Sequence, residues 1–338
     1  MLFQAPKLSI NLIPQLNPGP KKRPDRLKQD HLSLPGKDWL SSTLAIRRGN
    51  AKGRFVSGWQ FHRLRAVEPL ASDSSVRRQP VAPFQIFRNL CQVAIILQCM
   101  INRKIALITG ANKGLGFETA KQLAALGYEV LIGARNEAAG QAAAASIGEK
   151  AHFLHIDMTL PATFQSAALH IADTYGKLDV LVNNAGVGPD NGMKPGTAPL
   201  ALIRESFETN VFGLVELTQA LLPLLHKSHA GRIVNVSSIL GSLSLNADPT
   251  AQLGDWRSFG YNGSKAALNM FTATLAFELK DTTIKVNSAH PGWVKTDLGG
   301  DGAPLEIADG ATTSVRLATL PADGPTGGFF HRNDSLAW

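Results

Sequence analysis

Short apolar segments and longer amphipathic segments alternate along the chain from residue 104 onward. Runs of four to six apolar residues are typical of buried strands, and apolar residues repeated every three or four positions are typical of helices. The pattern predicts strands at 105–108, 129–133, 152–156, 178–182, 232–236, 284–288 and 328–330. It predicts helices at 115–126, 137–147, 162–175, 200–226, 262–280 and 307–317. Apolar strands separated by helices indicate a parallel sheet covered on both faces, so the sequence predicts a doubly wound α/β domain.

The first hundred residues show no such period. Nine prolines interrupt residues 1–85, and residues 1–100 contain 16 Lys and Arg against 5 Asp and Glu. A basic, proline-rich segment of this kind buries too little apolar surface to fold by itself. We therefore expect a disordered basic extension at 1–99, which is either a native leader or sequence upstream of the true start, and a folded domain at 100–338.

The extension also bears on partners and location. Its basic runs attract nucleic acid only through unspecific charge, and we expect no nucleic-acid partner. The apolar run at 90–101 is shorter than the ~20 residues of a membrane-spanning helix, so no membrane anchor is expected. No secretory signal opens the chain, so the expected location is cytoplasmic, with a transit peptide to an organelle as the alternative.

Cysteine and histidine positions limit the chemistry of the predicted domain. Both cysteines, Cys91 and Cys99, lie in the extension, so the domain has no thiol for catalysis, disulfides or metal binding. His152 and His155 have no Asp, Glu or Cys partner at ligand spacing. We expect no metal site and a chemistry based on oxygen, nitrogen and a bound cofactor.

A glycine-rich turn follows the first predicted strand. It consists of Thr109-Gly110-Ala111-Asn112-Lys113-Gly114-Leu115-Gly116. Glycines let a backbone turn tightly and approach a pyrophosphate, whose charge is favourable at the N-terminus of the following helix. The Gly-x3-Gly-x-Gly spacing differs from the usual Gly-x-Gly-x2-Gly, so a purely structural turn is the alternative. The strand–turn–helix context favours dinucleotide binding.

The end of the second predicted strand bears on the type of dinucleotide. A cofactor without a 2′-phosphate favours an acidic residue there, and none lies between Val130 and Asn136. Arg135 and Lys113 are two cations that can pair with a 2′-phosphate, which favours NADPH over NADH. The alternative is two ordinary surface cations. Asp157, after the third strand, either accepts a hydrogen bond from the adenine amino group or caps the next helix.

Further motifs follow the later strands. They are Asn183-Asn184-Ala185-Gly186, Asn210, Ser237-Ser238, Tyr261 with Lys265, and Pro291-Gly292-Trp293-Val294-Lys295-Thr296. With the glycine turn, this ordered set closely resembles the short-chain dehydrogenase/reductase superfamily over residues 103–331. The resemblance implies a single-domain, Rossmann-type fold. The glycine turn, Gly133-Ala-Arg-Asn136 and the closing Gly324-Pro-Thr-Gly-Gly-Phe-Phe330 are similar to the NADPH-dependent carbonyl reductase branch.

The resemblance also implies roles for individual residues. Ser238 would hold the substrate oxygen and Tyr261 would transfer the proton. Lys265 would contact the nicotinamide ribose and the tyrosine, and Asn210 would belong to a water-linked proton relay. The residues implied to bind NADPH or NADP are Gly110, Asn112, Lys113, Gly114, Leu115, Gly116, Arg135, Asp157, Met158, Asn184, Ala185, Gly186, Tyr261, Lys265, Val294 and Thr296.

The residue types fit a carbonyl reduction, which requires a hydride at carbon and a proton at oxygen. Tyr261 supplies a phenol with an ordinary pKa of about 10. Lys265 follows one helical turn later, and its ammonium is expected to lower the pKa of that phenol. Strand alternation sends Ser237 and Ser238 to opposite sides, so only one faces the substrate, and the family pattern favours Ser238. For His290 we expect a structural role rather than acid–base chemistry.

Ser238 and Tyr261 are 23 positions apart, farther than in compact members of the superfamily. The intervening residues 239–260 include Trp256 and Phe259, and we expect them to form a loop that shapes or covers the substrate pocket. The alternative is a peripheral excursion.

The reaction expected from all these features is the NADPH-dependent reduction of an aldehyde, ketone or quinone to an alcohol. An NAD-dependent alcohol dehydrogenase and a non-catalytic dinucleotide-sensing module are the alternatives. Because family members often pair through two long helices, here 200–226 and 262–280, a homo-oligomer is a further possibility that the sequence leaves open.

Overall fold

The structure is a computed structural model that describes residues 103–251, 253 and 256–338. The extension predicted at 1–99 and the predicted start of the domain at residue 100 lie outside these residues. The strands are β1 (Ile105–Thr109), β2 (Glu129–Ala134), β3 (Ala151–His155), β4 (Val180–Asn183), β5 (Arg232–Val236), β6 (Lys285–Ala289), β7 (Phe329–His331) and β8 (Asp334–Ser335). The helices are α1 (Gly114–Ala125), α2 (Glu137–Ile147), α3 (Ala162–Tyr175), α4 (Leu200–Phe207), α5 (Leu214–Leu225), α6 (Leu243–Ala247), α7 (Phe259–Glu278) and α8 (Ile307–Ala318).

The strands form one sheet in the order β3-β2-β1-β4-β5-β6-β7-β8. Every pair from β3 to β7 is parallel, and β8 pairs antiparallel with β7. The predicted doubly wound α/β fold is confirmed. The antiparallel edge strand was not predicted, because Asp334 and Ser335 are exposed and carry no apolar alternation. Among the described residues, no helix combines the length and apolarity that crossing a membrane requires.

The sheet is buried on both faces, as its continuous apolar strands indicate. All five residues of β1 are buried. Leu107 belongs to one core cluster together with residues of α3, α5 and α7. Its neighbours Ala106 and Ile108 belong to a second cluster with residues of α1, α2 and α8. Side chains that alternate between two helical layers therefore account for the near-absence of polar positions in β1.

The predicted helix at 200–226 is interrupted. The structure divides it into α4, a π-helical turn at Glu208–Gly213, and α5. The backbone passes Met158 so closely at Gly213 that a Cβ on this glycine would collide with the Met158 carbonyl oxygen. Helical periodicity does not report such a contact, so the interruption could not be predicted from the sequence. π-Helical turns inside helices are frequent at functional sites.

The strand order places the ends of several strands around one crevice. β1 lies between β2 and β4, so the chain winds outward in opposite directions on its two sides. Ligands of open α/β sheets bind at such a switch point, outside the carboxyl ends of the strands. The residues that follow β1, β2, β4, β5 and β6 therefore meet at one edge, and these segments contain the predicted motifs.

Candidate active site

The glycine turn after β1 has the geometry that close backbone approach requires. Gly110 and Gly114 have φ angles of +63° and +60°, which favour glycine. A Cβ on Gly116 would lie against the Asn184 amide and 2.6 Å from the Gly110 carbonyl oxygen. Glycine at position 116 is thus required by the packing of the turn itself. Asn112 is half-buried in the same turn.

The N-terminus of α1 is open toward this turn. Lys113 occupies the N-cap position, no side chain of the described residues caps the helix, and its first turn has no acidic residue. Uncapped N–H groups at the positive end of a helix are suited to bind a phosphate.

The structure gives Lys113 a different partner from the predicted 2′-phosphate. Its ammonium forms an ion pair with the Asp297 carboxylate, in the loop after β6, and this contact lowers the pKa of Asp297. Both side chains are largely exposed, so the pair contributes little stability and can exchange for another anion. Asp297 was not singled out in the sequence, because a partner 184 positions away leaves no local signal.

The asparagine pair at the end of β4 connects the site to the sheet. Asn184 Nδ2 donates to the Thr109 carbonyl oxygen at 2.9 Å and to the Gly110 carbonyl oxygen at 3.3 Å. The main-chain N–H of Ala185 donates to Thr109 Oγ1 at 3.0 Å. Asn183 Nδ2 donates to Asn235 Oδ1 at 2.9 Å, which joins β4 to β5. Asn184 therefore holds the shape of the glycine turn.

The end of β2 carries an exposed cation and no acid. Arg135 is exposed directly after this strand, beside the buried Ala134. Asp157 accepts hydrogen bonds from the Thr159 main-chain N–H at 2.9 Å and from its hydroxyl at 2.8 Å. The Thr159 backbone bond is the largest cause that lowers the pKa of Asp157, and the nearby Arg135 lowers it further. Asp157 thus caps a local turn, and the Met158 side chain is buried in the core.

Tyr261, Lys265 and Ser238 come together at the carboxyl edge of the sheet. α7 carries Tyr261 and Lys265 one turn apart, and the Lys265 ammonium lies 5.7 Å from the centroid of the tyrosine ring. Lys265 Nζ donates to the Val236 carbonyl oxygen at 2.8 Å. Ser238, two residues later, lies close enough to the Tyr261 phenol to lower its pKa. The structure thus brings together three of the four predicted catalytic side chains.

The expected lowering of the pKa of Tyr261 is not found in the protein alone. Burial raises the pKa of Tyr261 to about 12, and the neighbouring Ser238, which lowers it, only partly opposes this. Burial also lowers the pKa of Lys265 to about 8. The loss of water around the phenol outweighs the attraction of an ammonium that is bound to a carbonyl oxygen instead.

Asn210, the fourth predicted catalytic residue, lies in the π-helical turn and is fully buried. Its Oδ1 accepts from the Val187 N–H at 2.9 Å, and its Nδ2 donates to the Val187 carbonyl oxygen at 2.8 Å. Nδ2 also donates to Ser264 Oγ of α7 at 2.9 Å. A Cβ on Gly186 would lie 3.2 Å from Asn210 Oδ1 and 3.3 Å from Lys265 Nζ, so both polar groups border one point of the loop.

A cavity of about 390 Å³ lies beside Ser238 and Tyr261. Leu115, Val294 and Thr296, three of the predicted cofactor-binding residues, line it as well. Ser237 also borders the cavity, but its hydroxyl oxygen is buried and has no hydrogen-bond partner among the described residues. The cavity therefore joins the predicted nicotinamide end to the predicted proton donor.

The long segment between Ser238 and Tyr261 contributes to the wall of this cavity. Leu253 and Trp256 line it, and the ring of Trp256 packs edge-on against Trp293 with centroids 6.2 Å apart. The segment is therefore not a peripheral excursion. It includes the short helix α6 and a 3-10 turn at Ile239–Gly241, where a loop was expected.

His290 lines the cavity as a neutral group. Burial, together with the charge of the neighbouring His331, lowers the pKa of His290 to about 4. Its Nδ1 accepts from the Ile239 N–H at 3.3 Å, and its main-chain N–H donates to the Phe330 carbonyl oxygen at 2.7 Å. These contacts agree with the expected structural role. In the part of the chain that the structure describes, no cluster of three His, Cys, Asp or Glu residues could hold a metal ion.

One polar residue of the site escaped the sequence reasoning. Asp190 lies in the loop after β4, is fully buried, and accepts hydrogen bonds from the main-chain N–H groups at the start of α7. Its surroundings, Gly188-Pro-Asp-Asn191, have the composition of an ordinary turn. A contact across 71 positions is not visible in that composition.

Comparison of the sequence with known proteins shows which family the chain belongs to. The family model described as short chain dehydrogenase matches residues 104–303. The short-chain dehydrogenase anuI of Penicillium roqueforti is 37% identical over 232 residues, which cover 65% of this chain and 90% of the relative. The NADPH carbonyl reductase 1 of Mus musculus is 30% identical over 280 residues, which cover 70% of this chain and 99% of the relative.

A solved structure agrees with these relatives. The NADPH-bound carbonyl reductase from chicken fatty liver superposes with a TM-score of 0.62 at 28% identity, covering 70% of this chain and 99% of its own. Members of the family bind a nicotinamide dinucleotide and act on small molecules. The protein is therefore an oxidoreductase that belongs to the short-chain dehydrogenase/reductase family.

Proposed function

We propose that the protein reduces an aldehyde, ketone or quinone to an alcohol, with NADPH as the reductant and Tyr261 as the proton donor. The observation that carries the proposal is that Ser238 and Tyr261 line one cavity, with the Lys265 ammonium 5.7 Å from the centroid of the tyrosine ring. A phenol, a hydroxyl and an ammonium are the groups that a carbonyl oxygen needs when it gains a proton. The relative and the solved structure named as NADPH carbonyl reductases support this chemistry.

The residues of the crevice fit a phosphorylated dinucleotide. The glycine turn leaves no room for a Cβ at Gly116, and the adjoining helix N-terminus has no side-chain cap within the described residues. Arg135, exposed at the end of β2, would hold the 2′-phosphate where an acid would otherwise bind ribose hydroxyls. Lys113 can join it by releasing Asp297. Val294 and Thr296 would contact the nicotinamide end from the far side of the cavity.

The protein's own groups then perform the acid–base part of the reaction. Bound NADPH supplies the hydride that the carbonyl carbon receives. Ser238 Oγ donates a hydrogen bond to the substrate oxygen and orients it. Tyr261, with its pKa raised to about 12, stays protonated at neutral pH and gives its phenolic proton to that oxygen. Lys265, with its pKa lowered to about 8, is mostly charged at pH 7 and stabilises the tyrosinate that is left.

Cofactor preference is the sharpest test of this assignment. Purified protein is assayed with NADPH and with NADH against a panel of aldehydes, ketones and quinones, by the loss of absorbance of the reduced nicotinamide. We expect kcat/KM to be higher with NADPH, and Arg135→Asp to reverse the preference by removing a cation and adding an acid. Arg204→Asp, an identical charge change on the exposed surface of α4, is the matched control and should leave the preference unchanged.

The same assay separates the alternatives. A wild-type preference for NADH would contradict the role of Arg135 and favour an NAD-dependent alcohol dehydrogenase. Tight NADPH binding without turnover of any carbonyl compound would contradict the proposed reaction and favour a dinucleotide-sensing module.

A further inference from the structure

The catalytic helix α7 begins without a cap of its own. Ser258 is its N-cap residue and is buried, but its side chain makes no capping hydrogen bond within the described residues. The N–H groups at the second and third positions of a helix are those that an N-cap side chain satisfies. In α7 these positions are Gly260 and Tyr261.

Asp190 takes the place of the missing cap from a distant part of the chain. Its Oδ2 accepts from the Gly260 N–H at 2.5 Å, and its Oδ1 accepts from the Tyr261 N–H at 2.9 Å. Ser206, at the end of α4, donates a longer hydrogen bond of 3.3 Å to the same Oδ1. Each carboxylate oxygen thus accepts from one N–H of α7, and the side chain is fully buried.

The packing around this contact leaves no room for a side chain at Gly260. A Cβ on Gly260 would lie 2.6 Å from Asp190 Oδ2, 2.7 Å from its Cγ and 2.8 Å from Oδ1. The Asp190 carboxylate can therefore approach the second position of α7 only because that position is glycine. A negative charge at a helix N-terminus is also favoured by the helix dipole.

The loop that carries Asp190 also carries residues of the cofactor crevice and the cavity. Asn184 holds the glycine turn, Val187 is held by Asn210, and Asn191 lines the cavity beside Tyr261. Through Asp190 this loop is joined to the main-chain N–H of the residue whose phenol faces the cavity.

We propose that Asp190 is a positioning residue: its carboxylate fixes the first turn of α7 against the loop after β4 and so sets where the Tyr261 phenol lies relative to Ser238. Asp190 contacts neither substrate nor cofactor in this role. Because a displacement of about 1 Å in reacting groups can lower a rate by roughly 100-fold, the effect is expected on kcat rather than on cofactor binding. The inference rests on the proposed function only for its rate measurement.

The test combines three single variants and one double variant with a matched control. Asp190→Ala removes both acceptors and should lower kcat about 100-fold, whereas Asp190→Asn retains one acceptor and should lower it about 10-fold. KM for NADPH should stay within about twofold in both, because the glycine turn and Arg135 are untouched. Gly260→Ala should reproduce the loss from the other side of the contact. In the double variant, Asp190→Ala makes room for the new Cβ, so the two losses should not add.

Asp179→Asn is the control for general destabilisation. Asp179 is another buried carboxylate, which accepts from the Ile105 N–H at 2.9 Å and from Ser228 Oγ at 2.5 Å at the start of β4, near the opposite edge of the sheet. This variant should lower the melting temperature without changing kcat. If Asp190→Ala lowered kcat no more than Asp179→Asn did, or if the effects of Asp190→Ala and Gly260→Ala added fully, the inference would be overturned.

Amide hydrogen exchange tests the contact without any turnover. In the wild-type protein the Gly260 and Tyr261 amides should be protected, and Asp190→Ala should release them while Asp179→Asn leaves them protected. This result would support the positioning role even if the wild-type chain reduced no carbonyl compound, which would contradict the proposed reaction alone. Unchanged protection of both amides in Asp190→Ala would refute the positioning role.

Discussion

Replacing Gly116 by alanine tests whether the glycine turn is shaped for a pyrophosphate. The new Cβ would lie against Asn184 Nδ2 and 2.6 Å from the Gly110 carbonyl oxygen. The collision of the new Cβ can be relieved in two ways. Asn184 can leave, which breaks its hydrogen bonds of 2.9 Å to Thr109 and 3.3 Å to Gly110, or the turn itself can open.

The two routes have similar energies. Two hydrogen bonds at about 0.5–1.5 kcal/mol each amount to about 1–3 kcal/mol. An overpacked turn costs about 1–3 kcal/mol as well. At 1.4 kcal/mol for each tenfold change, Kd for NADPH should rise about 10-fold to 100-fold. If the collision also destabilises the folded protein in the absence of NADPH, that part of the free energy should appear as a lower melting temperature.

The assay is a titration of the purified variant with NADPH, followed by nicotinamide fluorescence or calorimetry, together with thermal unfolding. Gly196→Ala is the matched control, since a Cβ at that exposed glycine meets no atom within 4 Å. Gly196→Ala should bind NADPH as the wild type does. An unchanged Kd and an unchanged melting temperature for Gly116→Ala would refute the reasoning about the turn.

Two further predictions concern the other side of the cavity. For Lys265, the difference between a pKa of 10.5 and about 8 corresponds to about 3 kcal/mol of unfavourable charge burial, while its bond to Val236 returns about 1 kcal/mol. Lys265→Met should therefore abolish turnover yet raise the melting temperature at pH 7. The free energy of unfolding of the wild type should rise between pH 8 and 10.5, because in this range the unfolded chain binds the proton that the folded protein has lost. A Lys265→Met protein that is less stable than the wild type at pH 7 would contradict this reasoning. Trp256→Ala should raise KM for the carbonyl substrate about 10-fold without changing Kd for NADPH, since the Trp256 ring lines the cavity. The control is Phe277→Ala, which removes an exposed ring on α7, and equal KM values in the two variants would count against the role of Trp256.

The features that the sequence predicted well are those with a local or periodic signal. β5 and the helices α2 and α3 have the predicted bounds, because apolar runs and helical periods report burial directly. The ordered motifs were recognisable one by one along the chain, and the structure gathers them at a single sheet edge. That edge follows from parallel strands joined by helices, so the meeting of Ser238 with Tyr261 could be anticipated.

The features that the sequence did not predict depend on contacts between distant residues. The Met158 carbonyl oxygen leaves no room for a side chain at Gly213. Lys113 pairs with Asp297, and Asp190 caps a helix that begins 69 positions later. The pKa of Tyr261 depends on how much water surrounds the phenol, which no motif spacing reports. Such contacts arise only once the sheet has brought its strand ends together.

The central claim is that the Tyr261 phenol gives a proton to the carbonyl oxygen. It is tested most directly by comparing kcat for carbonyl reduction with NADPH in wild type and Tyr261→Phe, alongside Tyr175→Phe, which removes a hydroxyl on α3. We expect Tyr261→Phe to lower kcat by about 10²-fold to 10⁴-fold with Kd for NADPH unchanged, while Tyr175→Phe keeps full activity. A Tyr261→Phe protein that reduces its substrate at the wild-type rate would contradict it.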